Sequence, residues 1–450
     1  MILNEEFTAR MKTLLADEYE EFLESLNKEP VKAFRVNTDK ISLEDFKKIN
    51  IFGNENIPYV ENGFYLTYDK AGNHPYHHAG IIYIQEPSAM APAECIEIEP
   101  DWKILDVCAA PGGKSTQLKN KLGQNGLLVS NEIISSRCRI LTGNIERLGF
   151  KNCVTFCKDT IKLAEMFPNT FDMVMVDAPC SGEGMFRKEA IALSEWSTEN
   201  VLNCAKRQKE ILNNAAETVK KGGYIVYSTC TYSLEENEMT VDDFLTEHAD
   251  FELVKVKDKV EKCSSDGINF EGCKHNNLNL CRRFYPHKNR GEGQFVAVLH
   301  NVNTVTENYT KNYVKSKIPQ AVYDFLDDVL ISYNKDAVTL RGDTISLFDL
   351  NNQLDTSKAF CVGVTVGQFN KNFIKPHHQF FMAYGDKFKN KISLSAQSPE
   401  IIKYLHGEEF NTSTQSGWAT VLVDGCTVGG VKVSNGVAKN HYPKGLRTLY

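Results

Sequence analysis

The sequence predicts an α/β fold, with a mainly parallel, doubly wound sheet between a small N-terminal α+β module and a β-rich C-terminal domain. From Trp102 onward, short apolar strands alternate with segments of helical periodicity, which is typical of a parallel sheet covered by helices. The alternation stops after Asn303, and the region from Gly417 to Arg447 is rich in strand-forming residues. A chain of 450 residues also exceeds the size of a single core. We therefore expect four units, covering residues 1–75, 76–303, 304–390 and 391–450.

The N-terminal unit begins with a helical pattern that reaches about residue 30. Phe7, Met11 and Leu14 recur at helical spacing, so one face of this segment is predicted to be buried. Ala33–Thr38 then has the composition of a strand, and a further helix is expected over Leu43–Ile49. Together these segments predict a small α+β module.

The sheet of the second unit can be followed strand by strand. Its expected strands are Ile104–Val107, Gly126–Glu132, Cys153–Phe156, Phe171–Asp177, Tyr224–Cys230 and Phe295–Leu299. The longest helix is expected over about Thr198–Lys220, ending at the pair Gly222-Gly223. Chemically useful side chains stand at the carboxyl ends of the strands: Asp106, Glu132, Asp159, Asp177 and Cys230. Because such sheets bind ligands outside these ends, we expect one shared site.

A glycine turn between the first strand and the first helix of this sheet predicts a site for a nucleotide-type cofactor. The turn is Cys108-Ala109-Ala110-Pro111-Gly112-Gly113-Lys114, and it brings backbone N–H groups to a helix N-terminus. The dinucleotide fingerprint G-x-G-x-x-G is absent, and Cys108 stands where a P-loop needs its first glycine. What remains suits a nucleoside that carries a carboxylate, as S-adenosylmethionine does. Glu132 is placed to bind its ribose hydroxyls.

Two cysteines, Cys180 and Cys230, follow strands that are neighbours in a doubly wound sheet, so we expect both thiols to reach one pocket. A thiolate that adds to C6 of cytosine allows C5 to attack the methyl group of a sulfonium, and a second group then assists release. Asp177 is placed to stabilise or protonate the ring nitrogen. From the residues alone, either cysteine could be the one that adds.

Composition restricts the other classes of function. The 13 cysteines include no C-x-x-C pair, and the spacing of Cys263, Cys273, His275 and Cys281 fits no usual zinc pattern, so no metal site is predicted. The N-terminus lacks the apolar core of a signal peptide and no apolar run could span a bilayer, so we expect a cytoplasmic protein without a membrane partner. With a net charge of −7, contacts to nucleic acid must rest on local patches.

Several of these stretches resemble the RsmF and Sun-type family of RNA 5-methylcytosine methyltransferases. The resemblance is carried by Asp106–Ser115, Asp177–Gly184 and Ser228–Cys230, with Tyr285-Pro286-His287 and Gly291-Glu292-Gly293 matching the end of the catalytic domain. The tail around Asn440–Arg447 is similar to the PUA-like ending of the RsmF branch, and no acidic residue follows Asp424.

This resemblance implies a class I (Rossmann-like) methyltransferase sheet that binds S-adenosyl-L-methionine through Cys108–Lys114, Glu132, Asp159 and Asp177. It makes Cys230 the nucleophile and Cys180 the thiol that helps to release the product. It also implies that the N-terminal module and the PUA-like domain bind RNA. The expected partner is structured RNA, with the small-subunit (16S) ribosomal RNA favoured, and we expect a monomer.

Two alternatives stay open at this point. The chain could methylate C5 of a cytosine in transfer RNA by the same chemistry. It could also be a non-catalytic RNA-binding factor for ribosome assembly that retains a degenerate fold, although the intact Cys180, Cys230 and glycine turn argue against this.

Overall fold

A computed structural model of the chain describes residues 3–303, 317–350, 353–370 and 373–448. Within these residues it contains four β-sheets, and hydrophobic clusters fill the layers between the sheets and their helices. None of the helices in this part of the chain is long and apolar enough to cross a membrane.

The N-terminal module consists of a pair of helices, a three-stranded antiparallel sheet and two shorter helices. Its elements are α1 (Glu5–Leu15), α2 (Tyr19–Leu26), β1 (Ala33–Val36), α3 (Leu43–Ile49), β2 (Gly63–Tyr65), α4 (Pro75–His78) and β3 (Ile82–Ile84). The helical pattern predicted up to residue 30 is divided in two, with Ala16 at a positive φ between the helices. Because β3 completes the sheet by pairing with β1, the division expected at residue 75 cuts through this module.

The large sheet is built mainly from residues 103–301. The elements of this region are β4 (Lys103–Asp106), α5 (Gly113–Lys121), β5 (Leu127–Asn131), α6 (Ser135–Leu148), β6 (Cys153–Phe156), α7 (Thr160–Met166), β7 (Phe171–Asp177), α8 (Ala190–Glu195), α9 (Thr198–Thr218), β8 (Val219–Thr229), α10 (Glu238–Glu247), β9 (Phe251–Val254), α11 (Asp258–Glu261), β10 (Ser265–Asp266), β11 (Arg282–Phe284) and β12 (Gln294–Asn301). The strand order is β10-β11-β12-β8-β7-β4-β5-β6, with β9 beside β12. The five strands β4 to β8 are mutually parallel, as predicted, whereas β9 to β12 add antiparallel partners.

Both faces of the large sheet are buried. Leu105 of β4 belongs to one hydrophobic cluster together with Leu212 of α9, whereas its neighbour Ile104 belongs to another cluster with Leu118 of α5. Successive side chains of a strand point to opposite faces, so this division places helices on both sides of the sheet. The middle of β4 and the stretch 173–176 of β7 are therefore apolar, and Asp106 and Asp177 stand at the ends of these two strands.

The predicted end of the longest helix is wrong. The sequence places it near Lys220, before the glycine pair, but α9 ends at Thr218. Val219 already pairs with Phe171 of β7, so β8 begins there and contains Gly222 at a φ of 74°. This glycine accompanies a shift of register between β7 and β8, which is a strand irregularity and not a helix cap.

The sequence predicts that the region after residue 303 lies outside the large sheet. This prediction is wrong for one strand of the region. Its described elements are α12 (Gln320–Val329), β13 (Val338–Arg341), β14 (Thr344–Leu347), β15 (Cys361–Val362), β16 (Val364–Asn370), β17 (Phe373–Pro376) and α13 (His378–Tyr384). Strands β13, β14, β16 and β17 form a separate antiparallel sheet. In contrast, β15 pairs with β6 and extends the large sheet, and Phe348 and Leu354 join the hydrophobic cluster beneath it.

The C-terminal domain is β-rich, as predicted. Its elements are β18 (Lys391–Leu394), α14 (Pro399–His406), β19 (Phe410–Asn411), β20 (Gly417–Val423), β21 (Cys426–Ser434) and β22 (Val437–Asn440). They form a five-stranded sheet in the order β18-β20-β21-β22-β19.

The C-terminal domain shares a hydrophobic core with the N-terminal module. Phe34 and Val36 of β1 belong to the same buried cluster as Val421 and Val431 of the C-terminal sheet, whereas Ala33 packs toward the large sheet. Across this contact the Tyr76 hydroxyl donates a hydrogen bond to an Asp424 carboxylate oxygen 2.9 Å away, and the His78 Nδ1 lies 2.8 Å from the Tyr442 hydroxyl. The small N-terminal sheet is thus held between two other domains.

We expect deletion of residues 391–450 to destabilise the N-terminal module. The deletion exposes Phe34, Val36 and their neighbours, and each large apolar side chain returned to water costs roughly 1.5–3 kcal/mol. Hydrogen exchange followed by mass spectrometry should show faster exchange in β1 and β3, with β4 and β7 as the internal control. Unchanged protection of β1 would contradict the shared core.

Candidate active site

A cavity of about 1390 Å³ lies at the carboxyl ends of the parallel strands. Most of the residues predicted from the sequence line it: Cys108, Ala109, Ala110, Pro111, Gly113, Lys114, Glu132, Asp159, Asp177, Cys180 and Cys230. Gly112 does not line the cavity, although it shapes the turn that does. One cavity therefore joins the glycine turn to both cysteines, and the functional roles of these residues remain predictions.

The glycine turn connects the end of β4 to α5 and is fixed by side chains of α6. Gly112 has a φ of 115°, a left-handed conformation that a side chain with a Cβ adopts only with strain. The Arg137 guanidinium donates to the Ala110 carbonyl at 2.9 Å, and the Asn144 amide donates to the Pro111 carbonyl at 2.9 Å. These two hydrogen bonds join the backbone carbonyls of the turn to side chains of α6.

A buried arginine of the N-terminal module holds the other side of the turn. The Arg35 guanidinium donates to the Gly113 carbonyl at 2.8 Å, to the Thr116 hydroxyl at 2.9 Å and to the Gln85 side-chain oxygen at 2.9 Å. Sequence reasoning missed Arg35. The available signal was a charged residue inside the apolar strand Ala33–Thr38, which is unusual unless it is paired.

Asp106, the last residue of β4, lines the cavity beside the glycine turn. Its Oδ2 accepts a hydrogen bond from the Ser115 hydroxyl at 2.6 Å, whereas its Oδ1 is buried with no hydrogen-bond partner among the described residues. Burial raises the pKa of Asp106 to about 7, an effect that the Ser115 bond only partly offsets. An unpaired oxygen at this position fits a polar ligand bound above the turn.

The side of the cavity near β5 and β6 suits a nucleoside. Glu132 is buried, and its carboxylate accepts a hydrogen bond from the Ile134 backbone N–H at 2.9 Å and lies 3.4 Å from Arg137. Ile133 and Ile161 line the same side and are largely exposed to solvent, which leaves apolar surface for a base. Asp159 caps α7 by accepting from the Lys162 N–H at 2.9 Å and also lines the cavity. This chemistry fits S-adenosylmethionine.

The two cysteines meet at the other end of the cavity. Their Sγ atoms are 3.0 Å apart, and the backbone N–H of Cys230 donates to the Cys180 sulfur at 3.3 Å. The hydrogen bond to Cys230 and burial hold the pKa of the Cys180 thiol well above its ordinary value. Cys180 is therefore held as a protonated thiol beside the sulfur of Cys230.

Asp177 and Lys114 form an ion pair between the turn and the cysteines. The Lys114 Nζ lies 2.8 Å from the Asp177 Oδ2, and the Ser228 hydroxyl donates to the Asp177 Oδ1 at 2.8 Å. Burial opposes the charge of Lys114, but the neighbouring carboxylate raises its pKa overall, so the ammonium group persists. Both oxygens of Asp177 therefore have a partner, Lys114 on one side and Ser228 on the other.

A buried network of carboxylates joins the loops that carry the two cysteines. Glu236 accepts hydrogen bonds from the Ser181 N–H at 2.9 Å, the Ser181 hydroxyl at 2.5 Å and the Gln208 amide at 2.8 Å. Glu183 accepts from the Thr231 hydroxyl and the Tyr232 N–H, both at 2.9 Å. Glu236, which follows Cys230, thus holds the loop of Cys180, and Glu183, which follows Cys180, holds the loop of Cys230.

A close backbone approach at Gly184 completes this junction. A Cβ at Gly184 would lie 2.7 Å from the Gly293 Cα and 2.9 Å from the Cys230 carbonyl oxygen, so no larger residue fits there. The Gly184 N–H donates to that carbonyl at 2.9 Å. The start of β12 is thereby brought against the cysteine loops.

The candidate zinc ligands of the sequence do not form a site. His275 uses its Nδ1 and its backbone N–H to contact Asp242, at 2.8 and 2.9 Å. Across the part of the chain that the structure describes, no group of three histidine, cysteine or acidic residues is arranged to hold a metal ion.

The region that forms the large sheet belongs to a family of methyltransferases. The family model described as 16S rRNA methyltransferase RsmB/F matches residues 93–300. Models for the N-terminal domain of 16S rRNA methyltransferase RsmF and for the RsmF PUA domain match residues 3–87 and 389–448. The chain belongs to the RsmF family of 16S rRNA methyltransferases, as its relatives also show.

Relatives named ribosomal RNA small subunit methyltransferase F match nearly the whole chain. The protein from Shewanella sp. (strain MR-7) is 31% identical over 95% of this chain and 93% of its own length. The protein from Vibrio atlanticus (strain LGP32) is 31% identical over 98% of this chain and 97% of its own. The family predicted from the sequence is therefore confirmed.

Solved structures support the fold. A methyltransferase homolog protein from Pyrococcus horikoshii is 28% identical with a TM-score of 0.58, over 66% of this chain and 95% of its own. The NSun6 structure from the same organism has a TM-score of 0.56 over 67% and 99% of the two chains, and at 23% identity it shows the fold alone. The predicted class I methyltransferase sheet with a C-terminal PUA-like domain is confirmed.

We expect Glu236→Ala to be strongly destabilising and Glu236→Gln to be mild. Alanine leaves the Ser181 N–H and the Gln208 amide without an acceptor, at about 1–3 kcal/mol for each buried donor. Glutamine can keep both bonds through one oxygen and donate to the Ser181 hydroxyl through its nitrogen. Urea unfolding compares the free energies of unfolding, and similar losses in the two variants would contradict the network.

The same pair of proteins tests the ionisation of Glu236. Burial raises its pKa from an ordinary 4.5 to about 7, so the folded protein holds a proton that the unfolded chain releases. The wild-type free energy of unfolding should fall, relative to Glu236→Gln, as the pH rises between 4.5 and 7.

Proposed function

We propose that this protein transfers a methyl group from S-adenosyl-L-methionine to C5 of a cytosine in 16S ribosomal RNA. The observation that carries the proposal is the contact between Cys180 and Cys230, 3.0 Å apart in the cavity that also contains the glycine turn. Paired thiols at this position suit covalent activation of a pyrimidine, which methylation of oxygen or nitrogen does not need. Membership of the RsmF family supports the choice of RNA.

The cofactor side of the site is assigned to Cys108–Lys114, Glu132, Asp159 and Asp177. The turn presents backbone groups to the ligand, Glu132 accepts from ribose hydroxyls, and Ile133 and Ile161 cover the base. Bound S-adenosyl-L-methionine supplies a methyl group that is activated by a positively charged sulfur.

Cys230 is the proposed nucleophile. Its thiolate adds to C6 of the cytosine, forming an S–C6 bond, and the electron pair of the C5=C6 bond moves onto C5 and toward N3. Asp177, held by Lys114 and Ser228, is placed to accept hydrogen bonds from the amino group and any protonated N3 of the ring. The electron-rich C5 would then form a bond to the methyl carbon, and the bond between that carbon and the sulfonium sulfur would break, with its electron pair going to the sulfur.

Cys180 is the proposed group for release. The proton on C5 is lost to water, its electron pair restores the C5=C6 bond, and the S–C6 bond breaks with its electrons returning to the Cys230 sulfur. Cys180, which keeps its proton, lies 3.0 Å from that sulfur and can stabilise the departing thiolate by a hydrogen bond.

The ends of the chain are the proposed RNA-binding surfaces. The PUA-like domain has the basic residues Lys432, Lys439, Lys444 and Arg447 after its last acid, which suits contacts to phosphates. Trp418 lies beside Lys432 and His441, so an aromatic ring accompanies the positive charge. Because this domain and the N-terminal module share a core, RNA bound to either is positioned relative to both.

We expect Gly112→Val and Glu132→Gln to weaken the binding of S-adenosyl-L-methionine. Valine cannot easily adopt the φ of 115°, and glutamine replaces a charged acceptor with a neutral one, worth about a tenfold loss for a charge-assisted hydrogen bond. Isothermal titration calorimetry measures the affinity, with Glu165→Gln on the exposed face of α7 as a control. Wild-type affinity in both variants would reject the cofactor assignment.

We expect purified protein to label 16S ribosomal RNA from labelled S-adenosyl-L-methionine, and to label transfer RNA little or not at all. Bisulfite sequencing should locate the label at C5 of cytosine. Cys230→Ala should be inactive and form no covalent complex with RNA, because the bond to C6 cannot form. Cys180→Ala should still attack but release slowly, and so accumulate an adduct that survives a denaturing gel.

These outcomes separate the alternatives. An adduct trapped by Cys230→Ala and absent from Cys180→Ala would reverse the two roles. Preferential labelling of transfer RNA would show that transfer RNA is the substrate, with the proposed chemistry unchanged. RNA binding without any methyl transfer would instead support a non-catalytic assembly factor.

A further inference from the structure

Gln294, the first residue of β12, is a buried polar side chain that no step above uses. It lines the same cavity as Cys180 and Cys230 and is only 3% exposed. Its side-chain Nε2 is buried and has no hydrogen-bond partner within the described ranges. A buried donor left unpaired costs about 1–3 kcal/mol, which calls for an explanation.

The register of the sheet places Gln294 beside the nucleophile. β12 pairs with β8 in an antiparallel ladder in which Phe295 is opposite Thr229. One step further along both strands, Gln294 is level with Cys230. The Gly293 N–H donates to the Gly184 carbonyl at 3.3 Å, so the start of β12 is tied to the loop that carries Cys180.

Gln294 and Asp177 lie on opposite sides of Cys230. In the strand order β12-β8-β7-β4, Gln294 belongs to β12, Cys230 follows β8, and Asp177 ends β7. A base attached to Cys230 through C6, with C5 turned toward the cofactor side, presents its C4 and N3 edge to Asp177. Its O2 carbonyl then faces β12.

We propose that the Gln294 side-chain amide donates a hydrogen bond to the O2 carbonyl of the target cytosine. The inference rests on the proposed function, and it makes Gln294 a further residue in contact with the reacting base. No covalent bond to Gln294 forms or breaks. When Cys230 adds to C6, the electron pair displaced from C5=C6 spreads through C4 and N3 to O2, and a donor at O2 stabilises that charge.

The test compares Gln294→Leu with wild type in a single-turnover assay on 16S ribosomal RNA. We expect the rate of adduct formation to fall about 3- to 10-fold, the value of one hydrogen bond between neutral groups, with unchanged affinity for S-adenosyl-L-methionine. Gln294→His, which retains a donor, should recover part of the rate. The midpoint of thermal unfolding should not fall, because leucine removes a donor that the free protein leaves unpaired.

Gln379→Leu is the matched control for loss of a buried amide. The side chain of Gln379 is 1% exposed, and both of its ends are bonded, to the Thr365 N–H and to the Gly363 carbonyl. This variant should lower the midpoint of unfolding without a selective loss in the rate of addition. For Gln294→Leu we expect the reverse: slower addition to the base with no fall in the midpoint of unfolding.

A substrate change isolates the contact with O2. Replacing the oxygen by sulfur, in an RNA with 2-thiocytidine at the methylated position, should slow wild type and leave Gln294→Leu with little further loss. Equal rates for wild type and Gln294→Leu, or equal effects of the sulfur on both, would overturn the inference. Failure of the wild-type protein to methylate any cytosine would reject the proposed function itself, and the inference with it.

Discussion

The parallel pairing of β7 with β8 is the constraint on which the site depends. Parallel strands end at the same edge of a sheet, so the loops that follow them must begin side by side. The ladder aligns Asp177 with Ser228, and each cysteine follows a few residues later. A contact of 3.0 Å between two sulfur atoms fifty residues apart in sequence therefore follows from strand register together with two short loops.

The two loops that carry the cysteines are held by buried glutamates, which would be costly to bury without hydrogen-bond partners. Glu236 and Glu183 lie beneath the cysteines, and their partners are backbone N–H groups, hydroxyls, an amide and the Trp196 indole. A buried carboxyl group with several such donors keeps its position, and no ion pair is needed to hold it. The helices α1 and α2 cover this network, and Arg10 reaches Glu235 at 2.5 Å from outside. The two cysteine loops are therefore held in place by contacts within the protein itself.

The strands were predictable because their patterns are local. Cys153–Phe156 and Phe171–Asp177 have the bounds expected from the sequence, since apolar runs between turns specify parallel strands directly. The end of α9 was not predictable, because Val219 leaves the helix to pair with Phe171, a contact with a distant residue. The same holds for β15, which joins the large sheet from a region without any βαβ pattern.

The residues of the site likewise fall into those that a local pattern predicts and those that depend on distant contacts. Acids and cysteines at strand ends could be found from sequence, because their positions follow from the strands that precede them. Gln294 could not, and for Arg35 the only signal was a charge inside an apolar strand, which does not say what it contacts. Each reaches the site from an element remote in sequence: Arg35 from the N-terminal sheet, Gln294 from the antiparallel edge. Only the folded chain specifies which groups these two side chains contact.

The core shared by the two ends of the chain has a consequence for the order of folding. The Tyr76 and Asp424 partners are 348 residues apart, so during synthesis β1 emerges long before the strands that cover Phe34. Until then one face of the N-terminal sheet has no partner and exposes its aromatic side chains. Contacts that close so long a loop form late and slow folding. The nascent chain must therefore keep this apolar surface from aggregating until its last domain has left the ribosome.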